Sequence, residues 1–268
     1  MRSPWLDFFG LRSNPFADTI DPDFFFRTRQ HEEAAVRVRI GIEERHALIL
    51  LCGPSGTGKT LVAQVALKGL AAESFEPVFV FVHPGMGKGA LLDAVIGELG
   101  GPRGRTTHEK IARIQDRALA LHGEGRRLVA VIDEAHFLSA DALHVLRTLS
   151  NLETEKEKLV TVLLIAEEGL RRRLKAPAYA ALRGRITFVV PLSPLAAGDL
   201  EQYVKYRLLK GGANGNLLAP DVYETVFSLT AGIPREVNRL LCNAFLDSLA
   251  AGQRGVDRGR ILGAAARL

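Results

Sequence analysis

The chain has 268 residues, of which 47% are hydrophobic and 24% are charged, and it carries a formal net charge of +5 with a pI near 9.4. This composition indicates a soluble globular protein of one large domain, or of a large and a small one. A membrane helix needs about 18 consecutive apolar residues, and the longest apolar runs are far shorter. We therefore expect no direct membrane insertion and, since the N-terminus lacks a secretory signal, a cytoplasmic location.

The first two thirds of the chain alternate short apolar runs with longer amphipathic segments. Five runs rich in Val, Ile, Leu and Phe predict strands: HALILLC (46–52), PVFVFVH (77–83), RLVAVID (127–133), LVTVLLI (159–165) and ITFVVPL (186–192). Apolar residues at i, i+3, i+4 spacing predict helices at 59–73, 89–100, 108–124 and 139–153, and Ser139 suits the N-cap of the last. The alternation predicts an α/β fold, a three-layer αβα arrangement with a five-stranded parallel sheet.

From PLSP (191–194) onward the chain changes character. It contains only helical stretches, each punctuated by Gly or Pro. We therefore predict three parts: an N-terminal linker and first helix at 1–40, the αβα domain at 41–192, and a small all-α domain at 193–268.

A glycine-rich loop lies between the first predicted strand and the helix after it. Its sequence, GPSGTGKT, satisfies the Walker A pattern G-x-x-x-x-G-K-[ST] in the strand-to-helix context that makes the pattern specific. The glycines allow consecutive backbone N–H groups to face one concavity, and the helix N-terminus adds positive potential there. Lys59 suits the β and γ phosphates of ATP, and Thr60 suits Mg²⁺. The predicted nucleotide-binding residues are Gly53, Pro54, Ser55, Gly56, Thr57, Gly58, Lys59 and Thr60.

Two acidic residues stand at the end of the third predicted strand. Asp133 suits the Walker B role of holding Mg²⁺ through water, and Glu134 suits the base that polarises the attacking water. An acidic start to the next helix is the structural alternative. Together with the Walker A loop, the pair predicts nucleotide hydrolysis.

Several stretches outside these motifs carry a resemblance to a known family. They are FFGLRSNPF with DPDFFFRTRQHEEA near the N-terminus, LSNLETEKEKL (149–159) and AGIPREVNRLLCNAFL (231–246). With the Walker motifs, they make the chain similar from end to end to the AAA+ ATPases, and specifically to the ExeA-type secretion and pilus ATPases, which are related to the transposition ATPases TniB and TnsC. The resemblance implies a P-loop AAA+ fold with a helical lid.

The resemblance also implies roles that spacing alone cannot assign. Arg185, just before the last predicted strand, corresponds to the arginine finger that completes a neighbouring subunit's active site, with Arg183 as its companion. Arg235 in GIPR corresponds to sensor 2, which reaches the γ phosphate from the lid. For each of these residues the alternative is a solvated surface arginine.

Two features of the sequence leave alternatives open. Glu167 stands where the family usually has a Gln, and a carboxylate beside phosphates is unfavourable, so either Glu167 points elsewhere or its sensor 1 function is weakened. Near the N-terminus, Phe16, Phe24, Phe25 and Phe26 either wrap the adenine or pack the linker on the core.

Two functions fit these observations. The first is an ATPase that works as a homo-oligomer, a ring or filament such as a hexamer, and drives a secretion, pilus or export-type system through a protein partner. The second is a DNA-binding, ATP-dependent regulator of transposition that recruits a transposase to duplex DNA. The N-terminal signature suits the first function, and the compact length and basic pI suit the second. A slow nucleotide switch is a further possibility, since Glu167 is compatible with slow turnover.

Overall fold

The structure is a computed structural model that describes residues 3–268, so the first two residues of the predicted linker lie outside it. The strands of the described residues are β1 (Leu48–Cys52), β2 (Phe75–Phe81), β3 (Arg127–Asp133), β4 (Val160–Ala166) and β5 (Ile186–Pro191). The α-helices, in chain order, are α1 (Pro4–Phe9), α2 (Arg29–Glu43), α3 (Lys59–Lys68), α4 (Lys88–Glu98), α5 (Thr107–Gly123), α6 (Ala140–Leu149), α7 (Glu168–Arg173), α8 (Ala180–Arg183), α9 (Ala197–Lys210), α10 (Val222–Thr230), α11 (Pro234–Ala250) and α12 (Arg258–Ala265). Within this range no helix has the length and apolar character needed to cross a membrane.

The five strands form one parallel sheet in the order β2-β3-β4-β1-β5. Every residue of β1, β3 and β4 is buried, whereas β2 and β5 lie at the edges and are partly exposed. Buried central strands require apolar side chains on both faces, which explains why their sequences are nearly continuous runs of Val, Ile and Leu. The predicted α/β fold with a five-stranded parallel sheet is confirmed.

The chain divides into two units. The α/β unit comprises Arg29–Pro54 and Val62–Leu192, and the helical unit comprises Ser55–Leu61, Ser193–Leu268 and the described residues up to Thr28.

In the α/β unit, the sheet lies between helices. One face, with Leu48 and Leu50 of β1, belongs to a core shared with α4, α5 and α6. The opposite face carries Ile49, which lies so close to Gly41 of α2 that a Cβ added there would be 2.7 Å from the Ile49 side chain. Successive residues of a strand point to opposite faces, so these contacts show helices on both sides of the sheet.

The predicted cap of α6 is present. The Ser139 hydroxyl accepts a hydrogen bond from the Ala142 N–H at 3.2 Å, which satisfies one of the amide groups left without an intrahelical partner at a helix start.

The helical unit has its own core, formed by α9 to α12 and by aromatic side chains from the N-terminal segment. Phe245 of α11 is fully buried at its centre. The ring of Phe9 meets it edge-on at a centroid distance of 4.9 Å, and the ring of Phe16 lies at 5.6 Å. Such tilted and edge-on pairs add about 0.5–1.5 kcal/mol each beyond the area that they bury.

Three of the N-terminal aromatics named above, Phe16, Phe24 and Phe26, contact this helical core. Phe26 packs against Tyr203 of α9 at 5.8 Å, and the guanidinium of Arg207 lies 4.6 Å from the ring centre of Phe24. Arg207 is itself buried and donates to the carbonyl oxygens of Pro15 and Ala17. Of the two alternatives drawn from the sequence, these contacts support packing of the N-terminal segment.

Candidate functional site

The loop after β1 has a backbone suited to phosphate groups. A Cβ on Gly53 would lie 2.0 Å from the Leu192 carbonyl oxygen, so only glycine fits at the exit of the strand. Gly56 and Gly58 have φ values of +76° and +93°, in the left-handed region that glycine adopts without strain. Backbone of this kind turns successive N–H groups into one concavity, and α3 begins at Lys59, directly after it.

The tight turn of this loop determines which of its side chains are buried and which are exposed. Thr57 is fully buried and Lys59 is 8% exposed, whereas Pro54 and Ser55 are exposed. A lysine ammonium at a helix N-terminus is suited to anionic ligands, and a row of phosphates is such a ligand. The donor groups therefore fit the polyphosphate chain of a nucleotide.

Arg235 lies against the same loop inside the helical unit. Its guanidinium Nη1 donates to the Ser55 hydroxyl at 3.2 Å, and its backbone N–H donates to the Gly56 carbonyl at 3.2 Å. Its Nε is 3.8 Å from a carboxylate oxygen of Asp18. The side chain is 50% exposed, which leaves the guanidinium accessible to a charged ligand. The position assigned to sensor 2 by resemblance thus contacts the Walker A loop, although 180 residues separate it from Ser55.

Asp133 and Glu134 lie at the carboxyl edge of the sheet. Asp133 ends β3 and is buried, and its Oδ1 accepts a hydrogen bond from the Glu134 N–H at 2.8 Å. Glu134 has φ +56° and ψ +34°, a left-handed conformation that costs a non-glycine residue free energy. Strain of this kind is frequent at functional sites, and here it turns the chain sharply so that the side chain of Glu134 remains 42% exposed.

A histidine joins Glu134 to Glu167, a relation that sequence reasoning missed. The Nδ1 of His136 is 3.3 Å from Oε2 of Glu134, and its Nε2 is 4.0 Å from Oε1 of Glu167. The backbone N–H of Glu167 also points at Nδ1, at 3.4 Å. One nitrogen cannot donate to Glu134 and accept from Glu167 at once, so the tautomer of His136 decides which contact forms. Either way, the Glu167 carboxylate has a neighbour in His136, which supports its pointing toward that ring.

The sheet order explains this cluster. Strand β4 lies beside both β3 and β1, so the residues that follow all three strands meet at one edge of the α/β unit. Ligands of parallel α/β sheets bind outside this carboxyl edge. No periodicity within the sequence reveals which strands are neighbours, and for this reason the pairing of Glu167 with His136 could not be foreseen.

The two arginines before β5 have different surroundings. Arg183 ends α8, and its Nη1 donates to the carbonyl oxygens of Leu174 at 3.1 Å and Lys175 at 2.9 Å, which ties it to the end of α7. Arg185 is half-buried and lies near Glu153, whose pKa is held below its usual range by Lys158 and, more weakly, by Arg185. The Arg183 side chain thus stabilises the segment that follows α7. No hydrogen bond among the described residues fixes the guanidinium of Arg185.

Comparison with known proteins shows which family has this architecture. The family model that matches residues 42–174 is described as an AAA domain. General secretion pathway protein A of Aeromonas hydrophila is 32% identical over 259 residues, which are 96% of this chain and 47% of that protein. The chain belongs to the AAA+ ATPases. The resemblance to the ExeA-type family is confirmed, and this AAA+ chain spans about half the length of the curated relative that it matches.

Solved AAA+ structures share the fold of this chain. The ORC2 protein of Aeropyrum pernix, solved as ADPNP–ADP complexes, superposes with a TM-score of 0.72 at 17% identity, over 96% of this chain and 72% of that one. The ORC1 protein of Aeropyrum pernix in complex with DNA gives a TM-score of 0.72 at 22% identity, over 96% and 69%. At these identities the likeness shows the fold alone, and AAA+ folds are nucleotide-binding folds.

Proposed function

We propose that this AAA+ chain binds ATP with Mg²⁺, hydrolyses it within a homo-oligomer, and uses hydrolysis to drive assembly or remodelling of a secretion, pilus or export-type system. The observation that carries hydrolysis is the exposed Glu134 directly after the buried Asp133, because a mere nucleotide binder has no need of a second carboxylate. The secretion role rests on the 32% identity to General secretion pathway protein A.

Each residue of the site has a proposed task. The N–H groups of the loop at 53–60 and the Lys59 ammonium bind the phosphates, and Thr60 and Asp133 hold Mg²⁺, which when bound neutralises phosphate charge. Glu134 accepts a proton from the attacking water. Arg235, held by Ser55 and Gly56, reaches the γ phosphate as sensor 2.

The neighbouring subunit supplies the last part of the proposed site. Arg185 serves as its finger, because a guanidinium without a fixed hydrogen-bond partner can turn toward a nucleotide. Arg183 supports the segment that carries Arg185. The site is thereby completed only in an oligomer.

A second candidate is a DNA-binding regulator of transposition that recruits a transposase in an ATP-dependent manner. The observations that favour it are the net charge of +5 and the pI near 9.4. The fold is also that of an ORC1 protein solved in complex with DNA. A protein that neutralises several phosphates of duplex DNA binds it with a steep dependence on salt, and this separates the two candidates.

One assay tests both candidates. ATP hydrolysis is measured for the wild-type chain and for Lys59→Ala and Glu134→Gln, with and without duplex DNA, at low and high salt. We expect Lys59→Ala to lose nucleotide binding. We expect Glu134→Gln to bind ATP while its turnover falls by about two to four orders of magnitude, because it lacks the base.

A matched control comes from HPGMGKG (83–89), a second Gly-Lys pair outside the Walker A pattern. Lys88→Ala should hydrolyse ATP as the wild type does. Normal turnover by Glu134→Gln would overturn the hydrolytic assignment. Stimulation by DNA that fades at high salt favours the transposition candidate, and turnover indifferent to DNA favours the first.

A further inference from the structure

A pocket opens at the edge of the sheet where the strands begin, opposite the carboxyl edge that carries Asp133 and Glu134. Its volume is about 450 Å³, within the range of small-molecule sites. It lies wholly inside the α/β unit, and its walls include Arg45 before β1, Phe75 at the start of β2, Arg127 at the start of β3 and Lys158 before β4. The six residue-to-residue steps from Arg127 to Asp133 separate the pocket from the Walker B end by about 20 Å along β3.

Arg127 is a buried cation without a partner in this pocket. Arg127 is only 8% exposed. None of the described residues accepts a hydrogen bond from its Nε, Nη1 or Nη2. Burial and the nearby Arg45 lower the pKa of Arg127 to about 10, so the group still carries its full charge at neutral pH. An ionised group buried without a counterion is costly, and proteins usually pair it.

The other cations of the pocket already have carboxylate partners. Arg45 pairs with Glu157, Arg126 with Glu76, and Lys158 with Glu153. Only two carboxylates, those of Glu43 and Glu157, are among the lining residues, against four cations. With Glu76 and Glu153 counted as partners, Arg127 is the lining cation whose charge no carboxylate among the described residues neutralises, and it is also the most deeply buried of the four.

We propose that this pocket binds a phosphate group, free or on a small metabolite, beside Arg127. A guanidinium offers parallel N–H donors that match the oxygens of phosphate, and the negative charge of phosphate neutralises the unpaired Arg127. A carboxylate has two oxygens and one negative charge, fewer than a phosphate offers to Arg127 and to the cations around it. The site is distinct from the nucleotide loop, and its existence does not depend on ATP hydrolysis.

The test measures thermal unfolding of the full chain in sodium phosphate against sodium chloride of equal ionic strength, with saturating Mg·ADP throughout. We expect phosphate to raise the unfolding midpoint of the wild type in a saturable manner, because a ligand that binds only the folded state stabilises it. In Arg127→Met the half-saturating phosphate concentration should rise at least about ten-fold. Without phosphate this variant should unfold at the same or a higher temperature, since it removes an unpaired buried charge.

Controls separate this site from general anion effects. Arg37→Met removes an exposed arginine of α2 outside the pocket and should respond to phosphate as the wild type does. Sodium acetate at equal ionic strength should have no comparable effect, and an equal effect would overturn the choice of phosphate. Identical phosphate curves for wild type and Arg127→Met would overturn the site itself.

A direct measurement covers the case in which Arg127→Met does not fold. Calorimetric titration of the Lys59→Ala chain with inorganic phosphate should give one saturable site, because that variant lacks the Walker A lysine and retains the pocket. Absence of any saturable heat would overturn the proposal. Nucleotide hydrolysis is no part of this readout, so its outcome is separable from that of the proposed function.

Discussion

At the scale of single residues, His136 is the group that tertiary contacts add to the site. Its ring lies between the carboxylates of Glu134 and Glu167. A hydrogen bond from Nδ1 would hold the Glu134 carboxylate in one orientation, and an oriented base needs less reorganisation when it accepts a proton. We therefore assign His136 as a positioning residue of the proposed hydrolysis.

We expect His136→Ala to lower kcat for ATP by about ten-fold and to leave KM unchanged, because the ring holds the base and does not bind nucleotide. His136→Asn, which keeps an N–H donor near the position of Nδ1, should recover most of the loss. The control is His144→Ala, which removes a histidine stacked on Tyr179 in the same unit. Equal kcat values for the two alanine variants would contradict the assignment.

At the scale of elements, Arg207 of α9 fastens the N-terminal segment to the helical core. It is buried, donates to two carbonyl oxygens of that segment, and lies over the ring of Phe24. Hydrogen bonds to a charged group contribute about 1.5–3 kcal/mol, and removing the donor leaves the carbonyls unsatisfied.

We expect Arg207→Met to lower the free energy of unfolding by roughly 2–4 kcal/mol and to speed proteolysis near Pro15 and Ala17. Lys205→Met removes an exposed cation of the same helix, paired with Glu201 at 2.7 Å, and should cost less than about 0.5 kcal/mol. Denaturant unfolding and limited proteolysis measure both changes. Equal protease sensitivity of the two variants would show that Arg207 does not fasten the segment.

At the scale of the whole molecule, the proposed finger predicts that active sites form between subunits. Arg185→Ala and Glu134→Gln should each be nearly inactive alone, the first by about three orders of magnitude or more. Mixed together with ATP, they should regain activity, because a Glu134→Gln subunit supplies Arg185 to a neighbour that keeps Glu134.

The test measures the ATP hydrolysis rate of the mixture. The size of the oligomer is measured separately, in the presence of a non-hydrolysable ATP analogue. Arg172→Ala removes an exposed arginine of α7 and should retain wild-type activity. An Arg185→Ala chain that hydrolyses ATP normally while remaining oligomeric would disprove the finger.

Local sequence patterns were enough to predict the strands and the Walker A loop of this protein. The strands are apolar runs long enough to be buried, and the β3 prediction matches the structure residue for residue because its ends are marked by charged Arg127 and Asp133. The Walker A loop is likewise legible in sequence, since its glycines are needed wherever the backbone must turn with positive φ, as at Gly56 and Gly58.

Only the tertiary structure decided which distant residues meet. The contact of Arg235 with Ser55, the approach of His136 to Glu167, and the isolation of Arg127 each join or separate groups far apart along the chain. The physical reason is that strand order and side-chain packing follow from burial over the whole chain, whereas a sequence pattern reports only the periodicity of its own segment. Sequence therefore determined the elements and the phosphate loop, and tertiary structure decided the partners of their charges.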